Sequence, residues 1–350
     1  MPTTTGTSRP RDHPVGRHSA DRRPNDSRPH DDPGGATAPP GRKDSEDTPM
    51  RLVTYTVDGS SSRLGAEDGA HVIDLVALAA ASGTELPGDL LSFIRAGAEA
   101  FDTARDLLSG DPAGRPADAV HASTDVRLLA PLRPGKVIGI GLNYVEHVAE
   151  SNRTLDTAKE LPERPVLFGK PATAVTGPGA PILHNGNLTQ QLDWECELAV
   201  VIGRTAYKVS EADAWDHVFG YSIMNDISAR DQRRSGQWFF SKGQDSYAPF
   251  GPAVVTADDI PDAQALDLSL RVNGDVKQKS NTRHMLFDIP RLIADISSGM
   301  TLEPGDVIST GSPSGVGAAQ VPPQYLRPGD VVEATVERIG TLSNPVIDAR

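Results

Sequence analysis

Leu192-Asp-Trp-Glu-Cys-Glu-Leu-Ala-Val-Val-Ile-Gly203 decides how this chain is read. Its second half is a continuous apolar run of strand length, and its first half alternates acidic with apolar residues. Side chains of a strand point alternately to opposite faces. Asp193, Glu195 and Glu197 therefore share one face, with Trp194, Cys196 and Leu198 on the other. Crowded carboxylates repel, and the remedies are a raised pKa or a recruited cation. An all-oxygen donor set selects Mg²⁺, Mn²⁺ or Ca²⁺ over zinc, for which His or Cys would be expected. Taken alone, a Glu-x-Glu pair is equally the mark of a solvated strand face whose acids do nothing.

Two neighbouring stretches change that balance. Gly220-Tyr-Ser-Ile-Met-Asn-Asp-Ile-Ser-Ala-Arg-Asp-Gln232 places Asn225-Asp226 directly after an apolar strand, where Asp226 can complete a three-carboxylate shell. Arg230 and Asp231 within it also suit an ordinary ion pair. Gly139-Ile-Gly-Leu-Asn-Tyr-Val-Glu-His-Val-Ala-Glu150 carries glycines fit for close packing or a turn, followed by helical character. It is not a dinucleotide fingerprint, because the Gly-x-Gly-x-x-Gly spacing fails at Tyr144. On a helix His147 and Glu150 lie three apart and share a face, so the carboxylate can fix the imidazole tautomer and raise its basicity. Such a pair suits a general base for water, or a structural histidine.

The rest of the chain supplies the frame. Among 350 residues, 34 Lys+Arg face 47 Asp+Glu for a net charge of −13, and 37% are hydrophobic. That balance excludes a basic nucleic-acid binder and a membrane span. Residues 1–50 hold 8 basic and 8 acidic side chains, 9 Pro and no aromatic residue, too little apolar surface to offset ordering, and are expected to be a disordered tail. No apolar run of signal-peptide length follows Arg22-Arg23, so a cytoplasmic protein is expected. The single Cys196 excludes an internal disulfide and a multi-thiolate metal site.

Residues 51–130 read as a small α+β domain: a strand from Arg51 to Val57, an Asp-Gly turn, a second run at His71–Leu75, and helical material at Ala77–Ala81 and Asp89–Leu108. From residue 131 to 350 the texture is short apolar runs between turns, which predicts strands at Val137–Gly141, Val166–Phe168, Glu195–Ile202, Phe219–Met224, Leu268–Val272, Asp306–Thr310 and Asp330–Val336. Asn273-Gly274 is a hairpin turn by its chemistry. Helices are expected at Tyr144–Glu150 and Ile289–Ser298, and the fold class is α+β, mostly β.

These segments resemble the fumarylacetoacetate hydrolase family from about Val137 to the C-terminus. Six ordered blocks carry the likeness: Gly141-Leu-Asn-Tyr-Val-Glu-His-Val-Ala-Glu150, Leu167–Ile182, Asp193–Gly203, Asn225-Asp-Ile-Ser-Ala-Arg-Asp231, Ser241-Lys-Gly-Gln-Asp-Ser-Tyr-Ala-Pro-Phe-Gly-Pro252 and Ser309-Thr-Gly-Ser-Pro-Ser-Gly-Val-Gly317. The resemblance implies a mixed β-roll catalytic domain, a homodimer and a Mg²⁺ or Mn²⁺ site. By position Glu195, Glu197 and Asp226 match the family's metal carboxylates, and Lys242 its active-site lysine. His147 and Glu150 match a dyad on a mobile lid in the acylpyruvate hydrolase and oxaloacetate decarboxylase branch, and the polar linker Ser151–Pro165 suits such a lid. Arg230, Thr310 and Gly311 match positions near the substrate.

The activity implied is metal-dependent hydrolysis of a C–C bond in an acylpyruvate-type 2,4-dioxo acid. Water activated by His147 and Glu150 would attack the distal carbonyl, an enolate would leave stabilised at the cation, and Lys242 would offset the developing charge. Thr310 and nearby amides would hold the substrate carboxylate. The same enolate chemistry also serves a decarboxylase of a β-keto acid such as oxaloacetate, or an isomerase of a 2-hydroxy-diene dioate such as 2-hydroxyhepta-2,4-diene-1,7-dioate. A degenerate metal-binding scaffold is the non-enzymatic alternative. One departure stands out: many members carry Gln where this chain has Arg233. That charge suits a second substrate carboxylate or an exposed surface position. The aromatics of Trp238-Phe-Phe240 are expected in the core or the pocket wall.

Overall fold

A computed structural model of the chain describes residues 49–59, 61–146, 161–233 and 236–349. The expected disordered tail, apart from Pro49 and Met50, lies outside the described residues. So do His147, Glu150 and the expected lid up to residue 160.

Strand β1 (Arg51–Thr56) forms where its apolar run predicts, but its hairpin partner is β2 (Arg63–Asp68), ahead of β3 (His71–Asp74). The β2 sequence Arg-Leu-Gly-Ala-Glu-Asp has one bulky apolar residue, which hides it from a periodicity reading. Asp74 ends β3 and caps α1 (Leu75–Ala81), its Oδ1 accepting from the Val76 and Ala77 amides at 3.0 Å each. The helical stretch after Asp89 is two helices, α2 (Leu90–Ala96) and α3 (Ala98–Ser109), because Gly97 at φ 75° breaks it. Two short strands, β4 (Val120–Ala122) and β5 (Arg127–Leu129), complete this part.

The remainder is built on β6 (Val137–Gly141), β7 (Val166–Lys170), β8 (Val175–Thr176), β9 (Ile182–His184), β10 (Leu192–Asp193), β11 (Cys196–Ile202), β12 (Val218–Asn225) and β13 (Ser228–Ala229). Helix α4 (Trp238–Lys242) leads into β14 (Ala248–Thr256), the hairpin β15 (Asp267–Val272) and β16 (Asp275–Asn281), and α5 (Ile289–Ser297). Last come β17 (Val307–Ser309), β18 (Val331–Val336) and β19 (Gly340–Asp348). The hairpin turns at Asn273 (φ 52°) and Gly274 (φ 85°), as the dipeptide requires.

Among the described residues the main sheet runs β4-β3-β2-β1-β14-β12-β11-β17-β6-β7, with β1 joined to β14 at Leu52↔Val254. The first 80 residues of the described chain therefore extend the same sheet that carries β6, β7, β11, β12, β14 and β17. A second sheet runs β16-β15-β18-β19-β9. Pairing is mostly antiparallel, with β17–β6, β14–β8 and β19–β9 parallel. The fold is α+β and mostly β, as expected.

Strand β11 is buried on both faces, which is why it reads as an unbroken apolar run. Cys196, Leu198, Val200 and Ile202 enter a core shared with the second sheet and with Ile289, Leu292, Ile293 and Ile296 of α5. Ala199 and Val201 face a separate core built with Leu75, Leu90 and Phe93 of α1 and α2. Each large side chain so buried contributes roughly 1.5–3 kcal/mol, so both faces of β11 are held rigidly. Among the described residues no helix is long and apolar enough to cross a membrane.

Candidate active site

The end of the β11–β12 pair gathers the carboxylates. Cys196 pairs with Asn225, the Glu195 amide donates to Asn225 Oδ1 at 3.1 Å, and the Asp226 amide donates to the Glu195 carbonyl at 2.8 Å. This lacing brings Glu195, just ahead of β11, Glu197, on it, and Asp226, just after β12, to one point. A carboxylate oxygen from each lies within 4.8 Å of the others, and all three residues are buried.

Each acid has its own support. Glu195 accepts from Arg230 Nη2 at 2.7 Å and from Lys242 Nζ at 2.6 Å. Asp226 Oδ2 accepts from Lys242 Nζ at 2.5 Å, while its Oδ1 lies 2.6 Å from Lys170 Nζ without hydrogen-bond alignment. Glu197 is different. Its Oε2 accepts from Ser309 Oγ at 2.5 Å and from the Gly311 amide at 3.0 Å, both neutral donors, and no cationic side chain pairs with it among the described residues. Burial, with the charges of Asp226 and Glu195 adding to it, pushes the Glu197 carboxyl well above the usual carboxylate range. Asp226 is raised too, by burial that Lys170 and Lys242 only partly offset.

Lys242 ends α4 with its ammonium between Glu195, Asp226 and Ser228 Oγ (2.8 Å), 4.9 Å from the Phe168 ring centroid. Burial alone would lower its pKa, but the carboxylates of Asp226 and Glu195 outweigh burial and carry it above the ordinary lysine value. Lys170, at the end of β7, was not singled out from sequence. It is fully buried, bonded to the carbonyls of Ile227, Tyr247 and Lys242, and burial lowers its pKa. A lysine closing the apolar run Val166–Phe168 is the signal that could have marked it as a buried counter-ion.

Several sequence expectations are relocated. Arg230 does not pair with Asp231: its Nε donates to Asp193 at 2.8 Å and its Nη2 to Glu195, while Asp231 accepts from Thr189 Oγ1 and the Gln190 amide. Asp193 is absorbed by Arg230 and by the Gly317 and Ala318 amides, so it belongs to the scaffold beneath Glu195. Thr310, expected to hold a substrate carboxylate, is fully buried and donates its hydroxyl to the Leu198 carbonyl at 2.9 Å. The Gly311 amide is spent on Glu197. Both hold β17 and Glu197 in place. Trp238 lines the site, but Phe239 is 62% exposed and Phe240 38%, so those two rings are neither core nor wall. Cys196 turns into the apolar core, and burial raises its thiol far above the reactive range.

Glu195 and Glu197, with Lys242 and Arg230, border a cavity of about 30 Å³, and Asp226 lies behind them, outside its lining. Ile140, Leu142, Phe168, Arg233, Trp238 and Ser312 complete its walls. A hard divalent cation fits this donor set: three buried carboxylates converge, the donors are all oxygen, and Glu197 lacks a cationic partner among the described residues.

Residues 136–347 match the family model described as fumarylacetoacetate (FAA) hydrolase C-terminal. The chain is 40% identical over 305 residues to the mitochondrial oxaloacetate tautomerase fahd2 of Xenopus laevis, covering 85% of this chain and 90% of that one. It is 42% identical over 268 residues to the oxaloacetate tautomerase YisK of Bacillus subtilis, covering 75% and 87%. Among solved structures, a fumarylacetoacetate hydrolase from Exiguobacterium antarcticum superposes with a TM-score of 0.72 at 37% identity, covering 86% of this chain and all of that one.

Proposed function

Since this chain belongs to the fumarylacetoacetate hydrolase family, we propose that it is a divalent-cation-dependent enzyme acting on a short 2-oxo acid, and that its reaction is the keto–enol interconversion of a substrate such as oxaloacetate. One observation carries the reading. Glu197 is buried without a cationic partner among the described residues, beside two more carboxylates within 4.8 Å. The names of the similar tautomerases support the choice of substrate.

Glu195, Glu197 and Asp226 would hold Mg²⁺ or Mn²⁺, which when bound supplies Lewis-acid stabilisation of negative charge on the 2-oxo oxygen. Lys242, kept protonated by its carboxylate neighbours, has its three N–H donors on Glu195, Asp226 and Ser228. What it offers a developing enolate oxygen is therefore fixed positive charge, with no hydrogen bond of its own to spare. Enolisation also needs a group to take the C3 proton and return one. His147, with Glu150 holding its ring, is assigned that role by its place in the sequence. Arg230 orients Glu195, and Ser309 with Gly311 orients Glu197, so their part is positioning. The apolar walls of Phe168, Ile140 and Trp238 lower the local dielectric on one side, which strengthens the charges beside them.

A second reading keeps the site and adds water. The His147–Glu150 pair favours it, because a base three residues from its orienting carboxylate suits hydroxide attack on a 2,4-dioxo acid. Ultraviolet decay of oxaloacetate enol, with Mg²⁺ and then with EDTA, tests the first reading. Cation-dependent decay without release of pyruvate or CO₂ supports it. Cleavage of an acylpyruvate with no effect on the enol would move the second reading to first place.

A further inference from the structure

Arg233 follows the short 3₁₀ turn Arg230–Gln232 and lines the same cavity as Glu195, Glu197 and Lys242. It is only partly exposed. Its guanidinium carbon sits 4.7 Å from the centroid of the Trp238 ring. Among the described residues its guanidinium has no ion pair and no hydrogen bond. Arg230 beside it has given its Nε and Nη2 to Asp193 and Glu195. The two arginines thus differ in kind: one is fixed to the carboxylate scaffold, the other lies on an aromatic face with its donors uncommitted. Stacking occupies the face of a guanidinium and leaves the N–H donors on its edge free. Those donors form a fork matched to a carboxylate, and the ring beneath limits the freedom lost on binding.

We propose that Arg233 is the specificity residue of this site, receiving the second carboxylate of a dicarboxylic substrate while the 2-oxo acid end lies at the Glu195, Glu197 and Asp226 cluster. This rests on the reading of the cluster as a cation-held 2-oxo acid site, and narrows the substrate class to short dioates. Burial and the neighbouring Arg230 lower the Arg233 pKa, which is the penalty an incoming anion would relieve. Arg233→Gln keeps a polar side chain and removes the charge. Its partial exposure means the variant should fold.

The test uses the full chain loaded with Mn²⁺ and three non-reacting ligands in calorimetry: oxalate, which mimics the 2-oxo acid end alone, lactate, and malate, which is lactate's skeleton with a second carboxylate. Wild type should prefer malate over lactate by about 10- to 100-fold, the scale of one charge-assisted pair. R233Q should bring malate down to the affinity of lactate and leave oxalate unchanged, and R233K should restore part of the preference. Oxalate binding with an undiminished malate preference in R233Q rejects the inference alone, as does equal loss of all three ligands. A wild type that does not bind oxalate rejects the underlying site reading, and the inference with it.

Discussion

Lys242 shows how finely the charges at this site are set. Its ammonium bonds Glu195 Oε2 and Asp226 Oδ2, on two of the three acids that would hold a divalent cation, so lysine and metal would be partners and competitors at once. Replacing it by Met leaves two buried carboxylates without that partner. K242M should lose about 3–5 kcal/mol of stability in EDTA, recover most of it in Mn²⁺, and bind Mn²⁺ at least as tightly as wild type. Its turnover should fall about 100-fold or more. Calorimetry and denaturant melts with and without the metal check this, and weaker Mn²⁺ binding in K242M would contradict it. The carboxylates were legible because their spacing is local: Glu-x-Glu opens a strand, and Asn225-Asp226 closes one. Their partners were less so. Whether Arg230 turns to Asp231 or to Asp193 and Glu195 depends on β10 lying beside β13, a pairing no single segment announces. The hydroxyl of Thr310 is placed by a similar long-range contact, since the register of β17 on β11 sends it to the Leu198 carbonyl.

Strands set the distances, and one glycine shows how. Gly139 on β6 faces Phe168 on β7 across the Gly139↔Phe168 register, and a Cβ there would overlap the ring. The Lys242 ammonium lies near that ring, so the strand contact is transmitted to the site. Gly139→Ala should cost about 1–3 kcal/mol by overpacking and lower turnover by displacing Phe168. An alanine variant with unchanged melting temperature and rate would contradict that link. Close packing was readable from Gly139-Ile-Gly141, and most strands from their apolar runs. Strand β14 was not, because Ala-Pro-Phe-Gly-Pro reads as a turn. The sheet accommodates it with a register shift between Tyr221 and Ile223.

At the scale of the molecule, the β9–β19 pairing ties residues 182–184 to the C-terminal strand, with His184 buried at the junction. Burial, and then the charge of Arg327, hold its imidazole below the ordinary value of 6.5. The unfolded chain takes up this proton first as pH falls. Stability from this group is therefore present above about pH 6.5, declines below it, and levels off under the folded-state pKa. Melts from pH 8 to 5 should show that decline, and H184N should flatten part of it; an identical slope in the variant would assign the loss to other groups. The homodimer implied by the family resemblance is the assembly we propose, and sedimentation should give twice the 37.1 kDa of one chain.

Anomalous scattering at the manganese edge, from a crystal soaked in Mn²⁺, tests the central claim most directly. A single peak should lie within about 2.0–2.3 Å of oxygens from Glu195, Glu197 and Asp226. A peak elsewhere, or none, would contradict it.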